Sequence, residues 1–274
     1  MTVITFAEAR EWVTPANVPV QKRGILKVAE IIPADDHTLM GVETVTDACA
    51  EGNEWASICY NVDGVFCGPG TTPPSLVKTF ETIDQLEGSP FAVYAGVDCR
   101  RLGAPWDEET RARKRLDYAE GRLVDDHMQT LFNATALDLT PAPGTPLSIV
   151  EAVGTLENYA SQVYGGVPYI HGIQSTITCG HAATVFDMVD GEIRTLNGSI
   201  VSNLSTPAPV PTTKYLYVTG FIRLFQGPVM SFDVPEVFRN DAAGDPICDP
   251  ARALAERIYV PLIECLAARV EVDC

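Results

Sequence analysis

DEETRARKRLDYAEGRLVDDHMQTLF, residues 107–132, carries its apolar side chains at spacings of three and four. Leu116, Ala119, Leu123, His127 or Met128, and Leu131 fall on one stripe, which predicts a one-sided helix of about seven turns. Asp107 has the chemistry of an N-cap, and Glu108 and Glu109 suit the positive end of the helix dipole. Arg111, Arg113, Lys114, Arg115, Asp125 and Asp126 mostly fall elsewhere and read as the wet side of the helix. The basic cluster 111–115 could also pair with an acidic neighbour. A helix with one apolar stripe must lie across something apolar.

On its N-terminal side, residues 1–23 carry Pro15 and Pro19 and little periodicity, and read as an extended arm after a short amphipathic turn. Residues 24–100 are β-rich. GILKVAEII, LMGVETVTDAC, EWASICYNVDGVFC, LVKTFETID and FAVYAGVDCR are enriched in β-branched and aromatic residues and are expected as strands. The loop GPGTTPP, 68–74, breaks them. On the C-terminal side a Pro-rich loop leads to a second expected helix, with Thr145 as cap, Pro146 at the first position and Gly165–Gly166 as its end. VPYIHGI reads as a strand, 176–188 as a short helix, and GEIRTLNGSIV as a hairpin turning at Asn197–Gly198. KYLYVTGFIRLF, VMSFDVPEVF, ALAERIYVPLIE and AARVEVD are expected as closing strands. The order is α+β, not an alternating βαβ series.

The chain has 274 residues, 46% of them hydrophobic, enough for one large domain or two small ones. Acidic residues number 36 against 19 basic, a formal charge of −17. That balance argues against nucleic-acid reading as the main task and against a polybasic membrane-surface protein. There is no export-signal pattern and no apolar run long enough to span a bilayer. The eight cysteines, at 49, 59, 67, 99, 179, 248, 265 and 274, are scattered without a CxxC. They read as reduced thiols packed as small hydrophobes in a cytoplasmic product, with disulfide formation after release from a cell left open.

Chemical motifs are sparse. Neither GxxxxGK[ST] nor a GxGxxG after a strand occurs. Cys179 and His181 are the most enzyme-like pair, since a histidine can activate a thiolate. Residues two apart on a helix do not face each other, however, so a packed cysteine beside a partly buried histidine is the plainer reading. The histidines at 37, 127, 171 and 181 show no HxxxH or HExxH, and a zinc using Cys179 and His181 lacks a second pair at recognisable spacing. Asp35–Asp36, Glu108–Glu109 and Asp125–Asp126 are adjacent carboxylates that point apart and read as solvated charge. No catalytic, cofactor-binding or metal-ligating residue is predicted.

The succession of arm, β-rich loop, long helix, α/β region and closing strands resembles the major capsid proteins of tailed bacteriophages. This is the Hong Kong 97 type of fold, shared with bacterial encapsulins. FAVYAGVDCRRLG leading into EGRLVDDHMQTLF, then PYIHGIQSTITCG, KYLYVTGFIRLF, and RNDAAG followed by AERIYVPLIECLAARVEV are similar to segments of capsid proteins from phages of actinobacteria. The likeness covers roughly residues 24–273. It implies an N-terminal arm at 1–23 and a β-rich region at 24–100 with an extended loop at about 40–85. It implies a peripheral domain with a spine helix from 101–145 and 235–274, and an axial domain at 146–234. It implies a non-enzymatic virion protein without cofactor or metal, self-assembling as pentamers and hexamers into an icosahedral head. Expected partners are a portal, a separate scaffolding or decoration protein, and enclosed double-stranded DNA bound without sequence specificity, with no membrane. Assembly would occur in the host bacterial cytoplasm. Some members form a Lys–Asn crosslink; Lys78 and Asn240 are of the right types, but no crosslink is predicted between them. The alternatives are an encapsulin-type compartment, a phage tail or head-completion protein, and a Cys–His hydrolase around Cys179 and His181.

Overall fold

The computed structural model of the chain describes residues 18–20, 23–46, 48–49, 84–97, 107–142, 144–207, 211–234, 252–265 and 267–274. Most of the expected arm, most of the expected extended loop with its GPGTTPP tip, Lys78 and Asn240 lie outside these residues. The described elements open with a helical turn, α1 (Ile25–Val28), followed by β1 (Glu30–Pro33), β2 (Val42–Thr46), β3 (Asp84–Gly88) and β4 (Phe91–Val97). The long helix α2 (Glu108–Thr135) precedes β5 (Leu137–Asp138), β6 (Leu147–Ser148), α3 (Ile149–Val163), β7 (Tyr169–Ile173) and α4 (Gln174–Ala182). Then come β8 (Phe186–Val189), β9 (Glu192–Thr195), β10 (Ile200–Leu204), β11 (Lys214–Thr219), β12 (Ile222–Gln226), β13 (Met230–Val234), β14 (Arg252–Ile263) and β15 (Ala267–Asp273).

Among the described residues, β1, β12, β14 and β13 are successive neighbours in a five-stranded sheet, with β4 also on β14. An eight-stranded sheet runs β5-β15-β11-β7-β10-β9-β8, with β6 beside β15. β2 and β3 form a separate two-stranded ribbon, Val42 opposite Gly88 and Thr46 opposite Asp84. This ribbon is the described base of the segment expected as the extended loop.

α2 begins as the sequence predicts. Asp107 accepts from the Thr110 amide at 2.7 Å, a cap contributing about 1 kcal/mol. The buried face is Ala112, Leu116, Val124, Asp125, Met128, Gln129 and Phe132, rotated from the expected stripe so that Leu123 and Leu131 sit at its margin. Asp125, expected on the wet side, is fully buried. The helix packs on the five-stranded sheet through Val93, Val97, Ala253, Ala255 and Tyr259, and its last turns reach the other sheet at Leu204 and Tyr217. Phe132 stacks on His171 with ring centroids 5.1 Å apart. A second core lies between α3, α4 and the eight-stranded sheet, around Leu156, Ile170, Leu216, Val218 and Val270.

Local chemistry moved several boundaries. GILKVAEII is not one strand: Gly24 has a positive φ of 59°, and the Ile25 amide donates to Asp125 of α2, so a helical turn precedes β1. The second helix starts after Ser148, not Thr145. Ser148 and Glu151 form a reciprocal capping box, and Leu147–Ser148 pairs with Val272–Asp273 instead of being helical. α4 stops at Ala182, Thr184 follows with φ 62°, and Phe186–Val189 is a strand. The hairpin at Asn197–Gly198 is present, with Gly198 at φ 94°.

KYLYVTGFIRLF is two strands in two sheets. β11 belongs to the eight-stranded sheet and β12 to the five-stranded one, and the chain crosses at Gly220–Phe221. The final strands make the reverse passage, β14 to β15, through residues 264–266. β11 pairs with β15 and β12 with β14, so the two passages run side by side. β12 and β13 therefore lie in the sheet under α2, and β15 in the sheet under α3.

Candidate functional site

Cys179 and His181, the pair most like catalytic machinery, do not form a nucleophile and base. Cys179 is bonded to Cys274, with Cα atoms 6.3 Å apart, and the His181 Nδ1 lies 3.1 Å from the Phe186 carbonyl oxygen. A sulfur held in a disulfide is not a thiolate. The sequence left disulfide formation after release open, and these two cysteines are bonded in this structure. Cys49 is likewise bonded to Cys265, with Cα atoms 5.4 Å apart, inside the usual range for a bridge. Pairings across 216 and 95 residues leave no local spacing signal.

His127 and His171 are packing residues, whereas His37 is exposed. His127 stacks on Phe91 at 3.7 Å, and burial holds its pKa below the ordinary value. His171 is fully buried, its Nε2 lies 2.8 Å from the Thr219 hydroxyl, and desolvation pushes its pKa down to about 3. It is neutral at any physiological pH. Among the described residues, no group of three or more His, Cys, Asp or Glu is placed to hold a metal.

The carboxylate pairs do not converge. Asp35 accepts from the amide and hydroxyl of Thr38, at 2.9 and 2.7 Å. Glu109 accepts from Arg113 at 2.9 Å and from Ser231 of β13. Asp125 accepts from the amides of Ile25 and Ser205 at 2.9 and 2.8 Å and from the Ser205 hydroxyl at 2.9 Å. Desolvation nevertheless raises its pKa to about 6. Three donors aimed at one carboxylate replace the water it lost and tie the N-terminal segment, α2 and the exit of β10 together. Counting seven back from Phe132 places Asp125 on the buried face, which is the signal that could have found it.

Three further regions of the described residues are held by contacts between segments distant in sequence or by a clamped turn. The first is the joint between the sheets. There the Glu264 amide donates to the Phe221 carbonyl at 2.9 Å, and the Phe221 amide to the Tyr164 hydroxyl at 3.0 Å. The Gly165 amide donates to Ala48 at 3.0 Å, and the Cys49–Cys265 bridge fastens the foot of the β2–β3 ribbon to the same place. The second is the β9–β10 turn. Glu157 of α3 accepts from Thr195, Asn197 and Ser199 at 2.5, 2.6 and 2.6 Å, which holds Leu196 out at 84% exposure. The third is the outer face of α2. The Tyr118 hydroxyl donates to the Val18 carbonyl at 2.8 Å, so residue 18 lies against the helix there. The basic cluster is partly internal, with Arg113 on Ser231 and Glu109, and Arg115 donating to the Gly96 carbonyl at 2.8 Å.

No family model matches the chain, and no curated protein matches it in sequence. Solved structures match it through its whole length. The capsid of a native GTA particle superposes with a TM-score of 0.54 at 12% identity, covering 99% of this chain and 100% of that one. The SrpI encapsulin of Synechococcus elongatus gives 0.51 at 8% identity, over 100% and 97%. The capsid of Ralstonia phage GP4 gives 0.50 at 10% identity, over 100% and 99%. The chain has the Hong Kong 97 type of fold that these shell proteins share.

Proposed function

We propose that this chain is the major capsid subunit of a tailed phage, self-assembling through pentamers and hexamers into an icosahedral head around double-stranded DNA. The observation that carries the reading is the full-length match of its fold to capsid shells. Several features of the chain support it. The ribbon β2–β3 pairs the two segments that flank residues 47–83 of the sequence, and Val18 lies against Tyr118 of α2. α2 with the five-stranded sheet takes the part of the peripheral domain, and the eight-stranded sheet with α3 and α4 that of the axial domain. In this assignment Leu196, on its clamped turn, faces a neighbouring copy. A subunit with heterologous contacts of this kind closes into rings.

The net charge of −17 fits the same reading. An acidic wall makes few phosphate contacts and leaves packaged DNA free to slide during filling and ejection. The head would form in the host bacterial cytoplasm, with a portal and a separate scaffolding or decoration protein as partners. The subunit's work is done by interfaces and not by an active site. The match to an encapsulin supports one second reading, a protein compartment of the same architecture with cargo in place of DNA.

Expression of the full chain, followed by imaging of the unstained product in ice, tests the reading. Closed shells are expected, and particles from an infected host should contain DNA. Open tubes or dispersed subunits at high concentration contradict it, and shells loaded with an enzyme favour the compartment.

A further inference from the structure

The Cys49–Cys265 bridge joins two places that the sequence keeps 216 residues apart. Cys49 follows β2, at the foot of the ribbon. Cys265 sits in the passage from β14 to β15, beside the joint between the sheets. The Ala48–Gly165 hydrogen bond at 3.0 Å holds the foot of the ribbon against this joint without the sulfurs, and the Thr46 hydroxyl lies 3.7 Å from the Cys265 sulfur. The backbone therefore presents the two cysteines to each other whether or not they are bonded. Both are half-buried, and Cys265 lines a cleft of about 580 Å³ between β3 and the second half of α2, which admits a small reagent.

We propose that Cys49 and Cys265 are a post-assembly modification site, an oxidative lock between the foot of the β2–β3 ribbon and the joint of the two sheets. The inference rests on the capsid reading. A subunit made in a reducing cytoplasm carries both as thiols. The co-reactant is a low-molecular-weight disulfide met after release. A thiolate of one cysteine attacks it, forming a mixed disulfide and expelling one small thiolate. The second cysteine's thiolate then attacks the protein-side sulfur, forming the Cys49–Cys265 bond and expelling the other. The protein loses two electrons and two protons, and the small disulfide is reduced to two thiols. Assembly can then proceed with the foot held by hydrogen bonds alone, and the finished shell becomes stiffer without a new subunit contact.

The test uses the full chain released from cells in two ways: directly into iodoacetamide, or into oxidised glutathione before alkylation. Unreduced digests are then mapped for linked peptides. Cys49 and Cys265 should be alkylated in the first sample and linked in the second. The melting midpoint should rise on oxidation by ~5 °C or more, reversibly with reductant. Cys49→Ser and Cys265→Ala should each remove the same part of that rise, and Cys179→Ala with Cys274→Ala should keep that part. The proposal is overturned if the link is complete in directly alkylated samples, if it fails to form with oxidant, or if Cys49→Ser shows the full rise. Bond mapping and melting can be read on dispersed subunits as well as shells. Absence of shells would therefore count against the capsid reading and leave the lock tested.

Discussion

A Cβ on Gly220 would lie 2.2 Å from the carbonyl oxygen of Glu264. The two passages that carry the chain between its sheets meet here, and only a residue without a side chain fits. Gly220→Ala must push the passages apart, breaking the Glu264–Phe221 hydrogen bond and the Tyr164 contact beside it. The expected loss is about 3 kcal/mol, at the upper end for overpacking because the obstacle is backbone. Chemical unfolding measures it, and a wild-type midpoint would refute the account of the joint.

Asp125 should make stability pH-dependent in a defined direction. Its folded pKa of about 6 lies above the ordinary value of 3.8, so protonation favours the fold. The stabilisation is fully present below about 3.8 and is lost as pH rises through about 6, roughly 3 kcal/mol across that window. Asp125→Asn should abolish this component, seen as the difference in unfolding free energy between wild type and variant from pH 4 to 7. Asp125→Ala strands three donors and should cost about 3 kcal/mol or more at neutral pH.

His171 gives the opposite slope. Its pKa falls from 6.5 to about 3 on folding, so stability is present above 6.5 and is lost as pH falls toward 3. His171→Gln should flatten the acid limb of the stability curve relative to wild type. An unchanged acid limb would mean the ring is hydrated.

Glu157 is the clamp of the turn that presents Leu196. Glu157→Ala frees Thr195, Asn197 and Ser199 and should cost about 1–2 kcal/mol locally. Amide hydrogen exchange should accelerate at 195–199 while α2 stays protected. Leu196→Asp should leave the isolated subunit's stability within about 0.5 kcal/mol and lower the yield of shells.

Cys179 and Cys274 act as one unit. Under oxidising conditions Cys179→Ser, Cys274→Ser and the double variant should lower the melting midpoint by the same amount, because each removes the same bond. His181→Ala should leave shell formation intact. Additive losses would show that the two sulfurs are not partners.

Much of this architecture could be read from residues that act locally. Asp107 and the stripe of α2 announced the long helix, Asn197–Gly198 the hairpin, and the β-branched runs the closing strands. What escaped depends on contacts distant in sequence. Asp125 looks like surface charge until Ile25 and Ser205 arrive from elsewhere in the chain to satisfy it. Gly220 interrupts a run that reads as one strand, and nothing nearby reveals that its halves join different sheets. Cys49 and Cys265 become a pair only once β14 brings its end beside the ribbon. The Cys179–His181 spacing reads as chemistry, whereas the partner of Cys179 is Cys274, 95 residues away.

The central claim is that the fold of this chain is that of a shell tile, completed by its neighbours. Sedimentation of the purified full-length protein over a range of concentrations tests it most directly. The account predicts a sharp, very fast boundary of uniform megadalton particles above a threshold concentration. A single slow boundary at the 29.6 kDa monomer mass, unchanged up to the highest concentration and in the presence of phage-infected cell extract, would contradict it.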